Sequence, residues 1–169
     1  TALALGQIQS WYQPKFHLHT GQVCGVEVLS RWLHPQRRVL SPAVYLPILE
    51  RNGQMDRLLF AQLEQALMLQ RTAASRGFTL NMAFNLQSTQ LADSELTASI
   101  RRLLLRHGMP GSGLTFELTE SGLLQAPATS LENLVRLRMM GCRLSIDDFG
   151  AGFSSLQRLC QLPFNEIKL

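Results

Sequence analysis

The sequence lacks the features that define several classes of protein. No apolar run approaches the ~20 residues needed to cross a bilayer. The chain does not begin with the charged, apolar and small residues that follow one another in a signal peptide. Charged residues make up 17% of the composition and apolar residues 46%. This balance excludes intrinsic disorder, so we expect a globular domain without a membrane segment.

Cysteine and clustered positive charge are also scarce. The three cysteines, Cys24, Cys142 and Cys160, form no CxxC pair, which argues against a disulfide framework or a zinc cluster. A reducing, cytoplasmic location fits this pattern. The net charge is +4, but the basic residues are scattered without interleaved aromatic residues, so we predict no binding to a nucleic acid polymer.

Helical and strand-length segments alternate along most of the chain. Helices are predicted at roughly 42–52 and 56–75, from Asp93 or Ser94 to Gly108, from a Thr129–Glu132 capping box to Gly141, and at 154–160. Strands are predicted at 8–18, 22–31, 78–86, 114–119, 143–149 and 165–169. The alternation favours an α/β fold with a parallel sheet, either doubly wound or a (β/α)8 barrel.

Five of the predicted strands carry, near their carboxyl ends, a large apolar residue followed directly by a polar one. The polar residues are Glu27, Asn85, Glu117, Asp147 and Lys168. Ligands bind at the carboxyl ends of strands in barrels and open α/β sheets, so these side chains are expected to converge. The alternative is that they are ordinary polar residues of surface loops.

Three carboxylates in one half-buried place repel each other unless a cation lies among them. Oxygen ligands without histidine or cysteine suit Mg²⁺, Mn²⁺ or Ca²⁺. Asp148 directly follows Asp147 and can reach a second ion. Two ions about 4 Å apart can activate water for in-line attack at phosphorus, which favours phosphodiester hydrolysis.

Several motifs, in this order along the chain, resemble the EAL-domain family. They are Tyr12-Gln13-Pro14, Glu27-Val28-Leu29 with Arg31-Trp32, Phe84-Asn85-Leu86, Glu117-Leu118-Thr119-Glu120, the run from Asp147 to Leu156, and Leu162-Pro163-Phe164 with Ile167-Lys168-Leu169. The stretch from Glu117 to Lys168 most resembles members in which a response-regulator receiver domain precedes the EAL domain.

The resemblance implies a modified (β/α)8 TIM-type barrel that hydrolyses cyclic di-GMP to linear pGpG with Mg²⁺ or Mn²⁺, in bacterial signalling. It implies metal ligation by Glu27, Asn85, Glu117 and Asp147. Asp148 would serve a second metal or the nucleotide. Glu27 and Asp147 would also belong to the catalytic group. The alternative is a receptor module that binds cyclic di-GMP without cleaving it.

The resemblance assigns roles to five further residues. Lys168 would orient or polarise the attacking water, and Arg31 would hold a substrate phosphate, which suits a bidentate guanidinium. Gln13 and Leu29 would contact the nucleotide. Glu120 would fix the loop Phe149–Ser155, which would cover the site and form a homodimer contact.

The sequence departs from the family pattern in a few places. Val28 replaces the alanine of the signature, Gln87 stands where serine is usual, and Asn165 replaces a common aspartate. The family continues past Leu169 with further site residues, and the chain supplies about six strands. We therefore expect a domain truncated after about six strands, over residues 1–169, that is inactive in isolation.

Overall fold

The computed structural model describes residues 2–124, 128–150 and 162–168. The chain divides into two compact units, Thr1–Leu80 and Asn81–Leu169. The first contains an antiparallel sheet and two helices, and the second contains a parallel sheet with its connecting helices. No helix among the described residues is long and apolar enough to cross a membrane.

The first unit is built on a long antiparallel ribbon. It consists of β1 (Ile8–Phe16), β2 (Val23–His34), β3 (Arg38–Leu40), α1 (Pro42–Arg51) and α2 (Met55–Ser75). The turn between β1 and β2 closes where the His17 amide donates to the Gln22 carbonyl at 2.8 Å. Gly21 has a φ of +65° there, a conformation that glycine adopts without steric cost.

The helices of the first unit bury one side against the ribbon. Tyr45 of α1 is 1% exposed, and its hydroxyl donates to the Ser30 hydroxyl of β2 at 2.7 Å. It packs in a cluster with Ile8, Leu49 and Leu58. In α2 the buried residues recur at helical spacing, which explains why the sequence periodicity predicted this helix correctly.

The second unit is a run of parallel strands joined by helices. Its elements are β4 (Asn81–Asn85), α3 (Ser88–Leu91), α4 (Leu96–His107), a 3-10 turn (Gly111–Gly113), β5 (Leu114–Thr119), α5 (Glu120–Leu124), α6 (Ala128–Met139), β6 (Arg143–Asp147) and β7 (Glu166–Ile167). The strands pair in the order β4-β5-β6-β7, and each pair is parallel.

The two faces of this parallel sheet differ in chemistry. Phe84, Phe116 and Ile146 lie on one face and are at most 1% exposed. On the opposite face the successive residues include Glu117 and Ser145, which are buried and polar. Since side chains alternate along a strand, the sheet has one apolar face and one face that presents buried polar groups.

Several predicted boundaries needed correction. Helix α6 begins at Ala128, so Thr129 lies inside its first turn and does not precede it as a cap. Helix α4 begins at Leu96 with Glu95 at its cap position, while the Asp93 carboxylate accepts from the Glu95 amide at 3.0 Å. The strand predicted at 78–86 is confined to Asn81–Asn85. The helix predicted at 154–160 lies outside the described residues.

Candidate functional site

Three of the predicted metal ligands lie on one face of the parallel sheet. Asn85 of β4 pairs in register with Glu117 of β5. Glu117 in turn pairs with Ser145 of β6, two residues before Asp147. Register partners in a parallel sheet share a face, and so do residues two apart along a strand. Asn85, Glu117 and Asp147 therefore point to the same side, near the carboxyl ends of their strands.

Lys168 joins this group through an ion pair. Its backbone amide donates to the Ile146 carbonyl at 2.8 Å, which continues the pairing of β7 with β6. Its Nζ lies 2.5 Å from Oε2 of Glu117. The Glu117 side chain has no exposed surface and that of Lys168 is 22% exposed. The ammonium thus compensates a carboxylate that the fold removes from water.

The predicted metal ligands of the second unit differ in their access to solvent. Glu117 is buried, Asp147 is half-buried, and Asp148 and Asn85 are exposed. Asp148 has a φ of +54°, one of two non-glycine residues with positive φ among the described residues. Such conformations cost energy and are concentrated at functional sites. The turn lets consecutive aspartates leave the strand in different directions.

Glu120 holds the start of the loop after β6. Its Oε2 accepts a hydrogen bond from the backbone amide of Gly150 at 3.0 Å, and the residue is only 2% exposed. Residues 151–155 lie outside the described part of the chain. The contact agrees with a loop-supporting role for Glu120, which stays a prediction because the rest of the loop is not described.

The predicted residues of the first unit share one face of the antiparallel ribbon. Gln13 pairs with Glu27, and Trp11 pairs with Leu29. Directly opposed residues share a face, as do residues at i and i+2. Glu27, Leu29 and Arg31 of β2 therefore lie beside Gln13 and Trp11 of β1, and all three are half-buried.

Arg31 is held in place by two neighbours. Its Nη1 donates to the Ser30 carbonyl at 2.8 Å. Its Cζ lies 5.8 Å from the centroid of the Trp11 ring, within the range of a cation–π contact. The guanidinium therefore has a defined orientation on the same face as Glu27.

The donor chemistry in the second unit fits a hard divalent cation. Asn85, Glu117 and Asp147 offer an amide oxygen and two carboxylates on one face, and Mg²⁺ and Mn²⁺ prefer such ligands. Among the residues that the structure describes, no three His, Cys, Asp or Glu side chains lie close enough to hold a metal ion by themselves.

Comparison with known proteins places this arrangement in a family. The model of the EAL domain matches residues 1–169. The chain belongs to the EAL domain family. A solved structure described as the PaMucR phosphodiesterase in complex with c-di-GMP superposes with a TM-score of 0.93 at 39% identity, covering 99% of this chain and 68% of that one. The fold class, that of an EAL-type α/β barrel, is confirmed, and the described strands do not complete the barrel.

Two relatives of this EAL domain are named as enzymes. The cyclic di-GMP phosphodiesterase RocR of Pseudomonas aeruginosa is 48% identical over 164 residues, which are 97% of this chain and 42% of that protein. The bifunctional diguanylate cyclase/cyclic di-GMP phosphodiesterase MucR of the same species is 39% identical over 169 residues, with 99% and 25% coverage. The chain thus spans less than half the length of these curated relatives.

Two features of the EAL domain were missed at the level of sequence. The ion pair between Lys168 and Glu117 joins residues about fifty positions apart, and no local pattern signals it. Trp11 has no role in the sequence prediction, and the structure leaves it 46% exposed beside Arg31. The sequence does indicate its position: Trp11 lies two residues before Gln13 on the same strand, so the two side chains share a face.

Proposed function

We propose that this EAL domain hydrolyses cyclic di-GMP to linear pGpG in a metal-dependent reaction. The observation that carries the proposal is the shared face of Asn85, Glu117 and Asp147, with Lys168 bound to the buried Glu117. The naming of RocR and MucR as cyclic di-GMP phosphodiesterases supports the substrate. The c-di-GMP complex of PaMucR supports a nucleotide site in this fold.

Five residues would hold the metal: Glu27, Asn85, Glu117, Asp147 and Asp148. Mg²⁺ or Mn²⁺ suits these oxygen donors. When bound, such an ion lowers the pKa of a water ligand and neutralises charge that develops on the phosphate oxygens. Substitution of any one of the five is expected to lower metal-dependent turnover.

The remaining residues would bind and orient the reactants. Arg31 would pair with a phosphate of the substrate, since its guanidinium already has a fixed orientation. Gln13 and Leu29 would contact the nucleotide from the same ribbon face. Lys168 would donate a hydrogen bond to the attacking water and orient its lone pair toward phosphorus. The water oxygen then bonds to phosphorus as one P–O3′ bond breaks. The proton that the water gives up is balanced by one that the leaving 3′ oxygen takes up, which leaves the 5′-phosphate of pGpG and a free 3′-hydroxyl.

Glu120 would act by holding the loop Phe149–Ser155. The hydrogen bond from Gly150 to Glu120 fixes the first part of this loop. We further propose that the loop covers the site and contacts a second copy in a homodimer, and that the protein acts in the cytoplasm. Sedimentation of the full-length protein at several concentrations tests the dimer. A monomer at every concentration would contradict it.

Hydrolysis is tested with the full-length protein, cyclic di-GMP and Mg²⁺ or Mn²⁺, and the products are separated by chromatography. Wild-type protein is expected to form pGpG, and chelation is expected to stop the reaction. Glu27→Ala is expected to lower kcat/KM by more than about 100-fold, since even outer-shell partners of a metal cost 10–100-fold. Glu50→Ala, a change of an exposed glutamate on α1 of the same unit, is the matched control.

The enzymatic function would be contradicted if the full-length protein with metal left cyclic di-GMP intact. Equal rates of hydrolysis by Glu27→Ala and Glu50→Ala would contradict the metal-binding role of Glu27. Calorimetry distinguishes a receptor from an inactive preparation. Tight binding of cyclic di-GMP that does not depend on metal and gives no product would indicate a binding module.

A further inference from the structure

The ring of Trp11 is an exposed aromatic surface on the ribbon face that carries the proposed substrate residues. The relative solvent exposure of Trp11 is 46%. The other tryptophan of the chain behaves differently: Trp32 packs edge-on against Tyr45, with ring centroids 5.9 Å apart, and borders the buried cluster of the first unit. Packing therefore accounts for Trp32 but not for Trp11.

The neighbours of Trp11 are those of a ligand site. It is in register with Leu29 and lies on the same face as Gln13 and Glu27. The Arg31 guanidinium lies 5.8 Å from its ring centroid and is also bonded to the Ser30 carbonyl. A single exposed aromatic residue is common on protein surfaces, whereas an exposed ring that orients a cation beside an amide and a carboxylate is not explained by chance exposure.

This set of groups matches the parts of a nucleotide. A flat aromatic ring stacks on a base whatever its identity, because every base has a π-face. A fixed guanidinium pairs with the phosphate of the same nucleotide. Stacking on one aromatic side chain contributes roughly 5- to 100-fold to affinity per base. An apolar neighbour such as Leu29 extends the surface that a base can cover.

We propose that Trp11 is a further substrate-contacting residue, which stacks on a guanine base while its ring keeps Arg31 directed at the adjoining phosphate. The proposal rests on the proposed function for the identity of the ligand. It adds a residue that contributes affinity, outside the metal ligands and outside Gln13, Leu29 and Arg31. It also predicts that the contribution of Trp11 is the same before and after the phosphodiester bond is broken, because stacking does not sense that bond.

The test compares Trp11→Ala, Trp11→Phe and wild-type full-length protein. Calorimetry with cyclic di-GMP in the presence of a chelator measures binding, and Michaelis kinetics with metal measure turnover. Trp11→Ala is expected to raise Kd and KM about 10-fold or more with kcat changed less than about threefold, the pattern of a uniform binding contribution. Trp11→Phe is expected to retain most of the affinity. Phe78→Ala removes another exposed ring of the first unit and is the control.

Tryptophan fluorescence gives an independent readout that does not depend on the alanine variant folding. Saturating cyclic di-GMP is expected to quench the emission of the wild-type protein, and this quench is expected to be absent in Trp11→Phe. Equal Kd and KM in Trp11→Ala and wild type, or an equal quench in Trp11→Phe, would overturn the proposal. Loss of hydrolysis with binding that still depends on Trp11 would contradict the enzymatic function and support the base contact.

Discussion

The two units of this EAL domain present their site residues in different ways. In the first unit, an antiparallel ribbon carries Glu27 and Arg31 on a face that keeps contact with solvent. In the second unit, a parallel sheet carries Glu117 where it has almost no exposed surface. A charge that is removed completely from water needs a compensating partner more than a half-buried charge does. This explains why the second unit supplies Lys168 to Glu117.

The cysteines extend this contrast and give the largest expected difference. Cys24 of β2 is exposed and Cys142 is buried. Burial raises the pKa of the Cys142 thiol from 9.0 to about 11. This shift lowers the reactive thiolate fraction about 100-fold near neutral pH, and burial slows access further. We expect iodoacetamide at pH 8 to modify Cys24 at least about 100-fold faster than Cys142 in native protein.

Mass spectrometry of the peptides measures the two rates separately. In denaturant both cysteines are expected to react at similar rates, which is the control. The raised pKa also contributes to the free energy of unfolding, because the folded state holds the neutral thiol. This stabilisation is complete below about pH 9 and is lost as the pH rises toward 11. Rapid native labelling of Cys142 would contradict the contrast between the units.

The next largest effect concerns the buried ion pair. Lys168→Met leaves the Glu117 carboxylate buried without its ammonium partner. We expect the free energy of unfolding to fall by about 2–3 kcal/mol. This is less than the cost of breaking a completely buried pair, because Lys168 is partly exposed. Arg136→Met is the control, since its pair with Glu132 is 51% and 61% exposed. It should cost less than about 0.5 kcal/mol. Urea denaturation measures both, and equal losses would refute the distinction between buried and exposed pairs.

The smallest effect concerns backbone strain, and among the described residues each unit has one non-glycine residue with a positive φ. Arg38 has a φ of +61° and Asp148 a φ of +54°. Glycine relieves the steric cost of this conformation, so Arg38→Gly and Asp148→Gly are each expected to leave stability unchanged or raise it by up to about 1 kcal/mol. Only Asp148→Gly is expected to lower phosphodiesterase activity. A loss of activity in Arg38→Gly of the same size would remove the functional interpretation of Asp148.

The regular elements and the ends of the strands could be predicted from the sequence. Strand β5 has the predicted bounds, Leu114–Thr119, and α2 follows its apolar periodicity. These succeed because a buried strand or an amphipathic helix is specified by residues close together in the chain. The alternation of strands and helices implies parallel strands, and parallel strands bring Asn85, Glu117 and Asp147 to the same edge of the sheet.

The short and long-range features could not be predicted in the same way. Strand β3 (Arg38–Leu40) and helices α3 (Ser88–Leu91) and α5 (Glu120–Leu124) are too short to show a period. The Glu117–Lys168 pair and the Glu120–Gly150 bond join distant parts of the chain. The exposure of Trp11 depends on which side of the ribbon the helices cover, and no window of sequence around residue 11 contains that information.

The strict pairing of Asn85 with Glu117 and of Thr119 with Asp147 limits how the sequence can change over evolution. Deleting one residue within β5 would shift part of the strand by one position and put an apolar neighbour, Phe116 or Leu118, where Glu117 stands. Insertions between the strands leave that pairing intact. Relatives that keep this chemistry should therefore vary in the length of their connecting segments and hold the length of the paired strands constant.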